Sequence, residues 1–238
     1  MIYERKHQIG IDEIDRQMRM TNEALITVFQ NTACFMSDEI GQGILDVPRT
    51  MLTWFVIDWQ VEVIHRPEYG DLLNIRTWGR DAYKCFSYRD FEVFVNDSLC
   101  VRATSKWVLY DLKSRSYAEV SKELMDLFGI DDSRSVFEQR ELEHLDVLEN
   151  YDDHERIDIR ISDLDFNGHV NNVKYLNYLT DYGNAIDYDR FRITYRKEIK
   201  PDETVYLCHS KIDHKHHYAI MDEEGRVRTI IETLDNET

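Results

Sequence analysis

Apolar residues recur at the spacing of an amphipathic helix in two segments of the chain. The first segment follows Thr21 and Asn22, two residues that favour a helix N-cap. Its apolar face is formed by Leu25, Val28, Phe29, Thr32, Phe35, Met36 and Ile40. The face of the second segment is formed by Val173, Leu176, Leu179, Tyr182 and Ile186. Each half of the chain is therefore predicted to contain one helix with a buried side.

After each predicted helix the pattern changes to stretches rich in β-branched and aromatic residues, which are typical of strands. In the first half these stretches are residues 54–64, 72–78, 85–95 and 99–109. In the second half they are residues 191–199, 204–212, 217–221 and 227–233. One helix followed by several long strands, twice, predicts an α+β protein in which each helix is wrapped by a curved antiparallel sheet.

The two halves also resemble each other in sequence. At an offset of 150 residues, Asp15 aligns with Asp165 and Asn22 with Asn172, while Arg19 stands where the second half has His169. The shared order of these matches and of the later strands supports a duplicated fold.

Charge divides the chain and excludes one class of partner. There are 46 acidic and 29 basic residues, a net charge of −17, which argues against nucleic acid as a partner. Residues 131–155 hold ten acidic and two basic residues, as expected of a solvated connector. We therefore predict a first folded unit at 1–130, a connector at 131–155 and a second unit at 156–238.

Several other functions are not expected. No stretch approaches the ~20 apolar residues of a membrane span, and the first residues do not resemble a signal peptide. The four cysteines have no paired spacing, so a reduced cytoplasmic protein is predicted. The histidine-rich residues 213–217 match no zinc pattern and are interpreted as a charged turn, so no metal site is predicted. The chain has no glycine-rich phosphate loop.

The densest candidate chemistry lies just before the second helix. Asp165, Asn167 and His169 occupy alternate positions, so their side chains can converge, and Gly168 permits a tight turn that exposes backbone amides. The same residues could instead form only an elaborate helix start. The first half has Arg19 in place of His169, and a cap alone would not require that difference. One catalytic site in the second half is therefore favoured.

This segment reads DFNGHVNNVKY at residues 165–175 and closely resembles the DxNxHVNNxKY signature of the plant and bacterial acyl-acyl-carrier-protein thioesterases. The sequence YRKEI at 195–199, MLTW at 51–54 and YGD at 69–71 also resemble elements of that family. The resemblance implies two tandem hot-dog domains that hydrolyse fatty acyl thioesters on acyl carrier protein, releasing free fatty acids and ending chain elongation. It implies no cofactor of the enzyme's own, because the substrate carries phosphopantetheine.

Carried over by that resemblance, the catalytic residues are Asp165, Asn167, His169 and Glu198. Ile199 stands where the family often has a cysteine, so we predict that water attacks the thioester. Glu198 is the favoured base, and Asn167 positions the water. His169 polarises the carbonyl or moves the proton, and Asp165 orients His169. The backbone at Gly168 would stabilise the oxyanion. Direct attack by Asp165 is the alternative.

Substrate binding is less defined by the sequence. The first hot-dog domain is expected to hold the acyl chain, with Phe29, Trp54 and Phe55 as candidate wall residues, although each could equally be core. Competing hypotheses are an acyl-CoA thioesterase, a hot-dog dehydratase and a non-catalytic acyl-thioester sensor. Either a monomer or a homodimer is compatible with the sequence.

Basic residues cluster beside Glu198 despite the acidic composition. Residues 189–200 contain five basic and two acidic residues. The basic residues, which we call the basic rim, are Arg190, Arg192, Arg196, Lys197 and Lys200. They could form a docking surface for the acidic carrier protein, or they could pair with neighbouring carboxylates.

Overall fold

The computed structural model of the chain describes residues 1–182 and 188–235. They fall into two compact units, Met1–Leu142 and Glu143–Thr238. Among the described residues, no helix is both long and apolar enough to cross a membrane.

The first unit combines one long helix with an antiparallel sheet. The helix is α1 (Asn22–Glu39), and the short helices are α2 (Val47–Thr50) and α3 (Lys122–Phe128). The strands are β1 (Tyr3–Gln8), β2 (Leu52–Val63), β3 (Leu72–Tyr83), β4 (Phe86–Val95), β5 (Ser98–Asp111) and β6 (Ser116–Tyr117). The sheet order is β1-β3-β4-β5-β2, and β6 pairs with β5.

The second unit has the same plan. Its helix is α4 (Lys174–Tyr182), and Ile186, which the pattern also assigns to this helix, lies outside the described residues. The strands are β7 (Asp153–Ile157), β8 (Arg190–Tyr195), β9 (Val205–Ile212), β10 (Lys215–Asp222) and β11 (Val227–Leu234). The order β7-β9-β10-β11-β8 repeats that of the first unit strand for strand. The predicted α+β class is confirmed.

Each helix buries its apolar face against its own sheet. In the first unit, the Phe29 ring on α1 lies 5.9 Å from Trp59 on β2 and 5.0 Å from Phe91 on β4. In the second unit, the ring of Tyr175 on α4 lies 5.5 Å from that of Tyr195 on β8. Burial of such large aromatic surfaces is the main force that holds a helix on a sheet.

The strand predicted for residues 191–199 ends earlier than the sequence indicates. The N–H groups of Arg196 and Lys197 both donate to the carbonyl oxygen of Arg228, at 2.9 and 3.1 Å, so the regular ladder stops there. Pro201 follows soon after and cannot donate a hydrogen bond to a neighbouring strand. Glu198 therefore lies in a loop after β8 rather than in the strand.

The acidic segment 131–155 is less solvated than predicted. Val136 is buried, and its N–H donates to Asp90 Oδ2 at 3.0 Å within the first unit. The guanidinium of Arg140 pairs with Asp81 at 3.0 Å. The segment also contributes the start of β7. Its first part is thus anchored on the first unit by specific contacts that composition does not reveal.

Candidate active site

A tight loop before α4 carries the three signature side chains. Leu164 and Val170 form an antiparallel bridge that closes the loop at its base. Inside it, the Asp165 N–H donates to the His169 oxygen at 2.7 Å, and the Gly168 N–H donates to the Asp165 oxygen at 3.0 Å. Gly168 has φ +78°, a left-handed conformation that glycine adopts without a steric penalty.

The Asp165 carboxylate organises this loop. Its Oδ1 accepts the backbone N–H of Asn167 at 2.8 Å and that of His169 at 3.1 Å. Its Oδ2 lies 3.4 Å from Asn167 Nδ2. Asp165 therefore positions the backbone of His169 and the side chain of Asn167. Among the described contacts, Asp165 holds His169 through the backbone N–H, and no hydrogen bond joins it to the imidazole.

Backbone contacts bring the loop after β8 beside the signature loop. The Val170 N–H donates to the Ile199 oxygen at 2.9 Å, and Ile199 is fully buried. The Tyr195 hydroxyl donates to the Asn172 oxygen at 3.1 Å. Glu198 adjoins Ile199 in the chain, and its side chain is exposed to solvent.

Asp163 and Tyr178, which the sequence pattern does not mark as functional, hold the start of the signature loop against α4. Asp163 Oδ2 accepts a hydrogen bond from the Tyr178 hydroxyl at 3.1 Å and from the Arg160 N–H at 2.9 Å. Burial and the neighbouring Asp163 carboxylate raise the pKa of Tyr178. Tyr178 lies on the buried face of α4, and that helical position was the available signal.

The first unit contains the same loop with different chemistry. Asp15 Oδ1 accepts the N–H groups of Gln17 at 2.8 Å and Arg19 at 2.9 Å, as Asp165 does in the second unit. Met18 takes the position of Gly168 with φ +62°. The Arg19 guanidinium, in place of an imidazole, pairs with Asp15 Oδ2 at 2.9 Å.

The equivalent of Glu198 in this copy is also an arginine. The Met20 N–H donates to the Pro67 oxygen at 2.8 Å, matching the contact between Val170 and Ile199. The preceding residue, Arg66, donates to Asn22 Oδ1 at 3.0 Å. At these two positions the first unit therefore has Arg19 and Arg66 where the second unit has His169 and Glu198.

The first unit holds a partly open cavity between α1 and the sheet, whose lining includes Leu52, Trp54 and Val120. Of the three predicted wall residues, Trp54 lines this cavity. Phe29 instead belongs to the aromatic core, where it packs on Trp59. Phe55 is 45% exposed and its ring faces Tyr110, so neither phenylalanine is placed on the wall.

Two of the cysteines, Cys208 and Cys34, lie where burial disfavours the reactive thiolate. Burial raises the pKa of Cys208 to about 11, although His154 Nδ1 lies 3.2 Å from its sulfur. Burial also raises the pKa of Cys34. A thiol is nucleophilic as the thiolate, which these environments disfavour.

The histidine-rich turn is engaged in its own contacts. His216 Nε2 lies 2.9 Å from Asp235 Oδ1, and its other ring nitrogen lies 2.9 Å from His209 Nε2. Among the described residues, no group of three or more His, Cys, Asp or Glu side chains is arranged to hold a metal ion.

Solved structures establish the class of fold. An acyl-ACP thioesterase from Bacteroides thetaiotaomicron superposes with a TM-score of 0.85 at 20% identity, covering 98% of this chain and 97% of that one. A 12:0-ACP thioesterase from Umbellularia californica gives 0.82 at 20% identity, covering 98% and 96%. The fold is the predicted tandem hot-dog arrangement.

Family models then identify the chain. The acyl-ACP thioesterase N-terminal domain matches residues 1–128, and the acyl-ACP thioesterase C-terminal domain matches residues 148–234. The chain belongs to the acyl-ACP thioesterase family.

Curated relatives are longer than this chain. A chloroplastic acyl-[acyl-carrier-protein] hydrolase of Cuphea viscosissima is 28% identical over 84% of the chain and 52% of its own length. A chloroplastic oleoyl-acyl carrier protein thioesterase of Coriandrum sativum is 25% identical over 85% and 61%. The chain thus spans between about half and two thirds of these relatives.

Proposed function

We propose that this protein hydrolyses fatty acyl thioesters carried by acyl carrier protein and releases free fatty acids. The observation that carries the proposal is the pairing of Val170 with Ile199, which brings the signature loop beside Glu198. Membership of the acyl-ACP thioesterase family supports the same reaction.

In the proposed reaction, water attacks the thioester carbonyl carbon. Glu198 acts as the base and accepts a proton from the water, so this reaction requires no cysteine nucleophile. The Asn167 amide, whose Nδ2 faces Asp165, leaves its oxygen to accept a hydrogen bond from the water. The carbonyl becomes a tetrahedral oxyanion, to which His169 donates an imidazole N–H.

Collapse of the tetrahedral intermediate breaks the carbon–sulfur bond. The phosphopantetheine thiolate leaves and takes the proton held by Glu198, so the base is regenerated and the free acid departs. The Gly168 N–H is not used for the oxyanion, because it already donates to the Asp165 oxygen within the loop. The cavity of the first unit, with Trp54 in its wall, is the proposed receptor for the acyl chain.

Turnover of acyl-ACP by three variants tests this proposal. We expect Glu198→Gln and His169→Ala each to lower kcat by roughly 10²-fold or more, as loss of a base or an oxyanion donor does. Glu68→Gln is the control, because it removes an exposed carboxylate in the corresponding loop of the first unit. Near-wild-type release of free fatty acid by either of the two site variants would contradict the assignment.

A further inference from the structure

A buried arginine stands in the wall of the acyl cavity. Arg89 lies on β4 and is only 6% exposed. It lines the cavity together with apolar side chains, among them Trp54, Trp107 and Phe128. A guanidinium cannot give up its proton in this setting without a large cost, so Arg89 keeps a positive charge in the cavity wall.

The contacts of Arg89 within the protein are neutral. Its Nη1 donates to Thr77 Oγ1 at 3.3 Å, and its Nη2 lies 3.3 Å from Met36 Sδ. The ring centre of Phe128 is 5.9 Å from its Cζ. Across residues 1–182 and 188–235, no carboxylate forms an ion pair with Arg89.

Within the described part of the chain, the other two buried arginines each have a carboxylate partner, which Arg89 lacks. Arg80 pairs with Asp90 at 3.2 Å, and Arg228 pairs with Asp222 at 2.9 Å. Cys34, which shares the cavity wall with Arg89, does not supply an anion, because burial raises the pKa of its thiol. Burial lowers the pKa of Arg89 to about 10, so the guanidinium remains protonated at neutral pH.

A buried charge without a partner is unfavourable, and a charge-assisted hydrogen bond to an occupant would compensate it. We propose that the acyl chain held in this cavity carries an oxygen acceptor, a hydroxyl or oxo group or a terminal carboxylate, that accepts hydrogen bonds from Arg89. This inference rests on the proposed function and names the substrate class within it. An unsubstituted alkyl chain would leave the guanidinium unpaired in the loaded enzyme.

The test compares kcat/KM for three matched series of acyl-ACP substrates that differ only at the chain terminus: methyl, hydroxyl and carboxylate. For wild type, we expect at least one oxygenated series to exceed the methyl series by about tenfold at its best chain length. Preference for the carboxylate series alone means that the partner of Arg89 is an anion. Preference for both the hydroxyl and the carboxylate series means that Arg89 accepts any oxygen acceptor as its partner. Preference for the methyl series at every length overturns the inference.

Arg89→Met removes the charge and keeps much of the side-chain length, and we expect it to reverse the preference. Arg76→Met is the matched control, because Arg76 lies on β3 outside the cavity lining and the same substitution there removes only an exposed charge; its preference should match wild type. If the ratio of kcat/KM for oxygenated substrates to kcat/KM for methyl substrates is the same in Arg89→Met as in wild type, the inference is overturned. A merely structural role of Arg89 would affect all substrates alike.

Two further outcomes are separable. If Arg89→Met does not fold, Arg89→Lys replaces it in the test, because lysine keeps the charge but lacks the planar pair of donors. We expect Arg89→Lys to lower the ratio of kcat/KM for oxygenated substrates to kcat/KM for methyl substrates. An unchanged ratio overturns the inference. If wild type hydrolyses none of the three series, the proposed function itself fails. If it hydrolyses the methyl series best, only the assignment to Arg89 fails.

Discussion

At the scale of single residues, the two copies of the signature loop differ in how they occupy one left-handed position. Met18 has φ +62° and Gly168 has φ +78°, yet both loops close on an aspartate that accepts two backbone N–H groups. A side chain at this position is therefore compatible with the loop. The glycine in the second unit removes a strain that the first unit tolerates.

Gly168→Ala is expected to lower the free energy of unfolding by about 1 kcal/mol. Its new Cβ would meet no atom within 4 Å, so the cost is backbone strain and not a clash. Gly225→Ala is the control, because Gly225 has φ +74° and equally open surroundings in the β10–β11 turn. Urea denaturation measures both variants.

Activity distinguishes the two glycines further. If Gly168 serves only the conformation of the loop, Gly168→Ala retains most of its turnover, as Gly225→Ala does. Loss of turnover with unchanged stability would instead mean that the substrate passes close to the Gly168 Cα, and the loop geometry alone would not explain the glycine.

At the scale of elements, the sequence predicts the helices and strands whose apolar residues recur at a regular spacing. The helix α1 follows the predicted apolar stripe and is capped by Thr21, whose Oγ1 accepts the Ala24 N–H at 3.2 Å. The strands β1 and β7 escaped prediction because they lie at sheet edges and expose charged residues, so backbone pairing with β3 and β9 defines them. The end of β8 depends on the bifurcated contact at Arg228, which no local pattern shows.

The same limit applies to the candidate site. Spacing and resemblance identified Asp165, Asn167 and His169, because these residues are close in sequence. The contact between Val170 and Ile199 and the support from Tyr178 depend on pairing between distant segments. The unpaired charge of Arg89 could not be predicted either, since a lone arginine in a strand gives no sign of whether a carboxylate lies opposite it.

The loop after β8 also bears on the proposed recognition of a carrier protein. Two members of the basic rim are held by backbone contacts, with Arg192 donating to the Glu143 oxygen at 2.8 Å and Arg196 to the Leu145 oxygen at 3.0 Å. Lys197 and Lys200 are exposed beside Glu198. These two lysines are the members of the basic rim best placed to attract an acidic carrier protein.

Charge reversal by Lys197→Glu and Lys200→Glu is expected to raise KM for acyl-ACP and to weaken the dependence of kcat/KM on salt. The same variants should leave KM for the small acyl-pantetheine thioester unchanged, because that substrate lacks the acidic protein. Steady-state kinetics at low and high salt measures both effects. An equal change on the two substrates would mean that the lysines act on the site and not on docking.

At the scale of the whole molecule, each unit contains a buried charge cluster that ties separate elements together. In the first unit, Asp90 accepts hydrogen bonds from Arg80, from Thr104 and from the Val136 N–H, joining β3, β4, β5 and the following segment. In the second, Arg228 bridges Asp222 and Glu203, at 2.9 and 3.0 Å. Such clusters are costly to break because the remaining charge stays buried.

Stability in acid should reveal the second cluster. Burial by itself would raise the pKa of Asp222, but hydrogen bonds and charge from Arg226 outweigh it and hold the pKa at about 2. Because the folded pKa lies below the unfolded value near 3.9, the stabilisation is complete above about pH 4 and is lost as the pH falls towards 2. Asp222→Asn should therefore flatten the fall of the unfolding free energy in this window.

At neutral pH, Asp222→Asn is expected to lower the unfolding free energy by about 3 kcal/mol, because Arg228 is 2% exposed and would retain Glu203 as its remaining carboxylate. Glu224→Gln removes an exposed ion pair with Arg226 in the same turn and should change stability by less than about 0.5 kcal/mol. Urea unfolding at several pH values measures both. Loss of the buried partner of Arg228 should cost more than loss of the exposed partner of Arg226, which remains in water. Equal losses of unfolding free energy in the two variants would therefore show that the turn, and not the buried ion pair, holds β10 to β11.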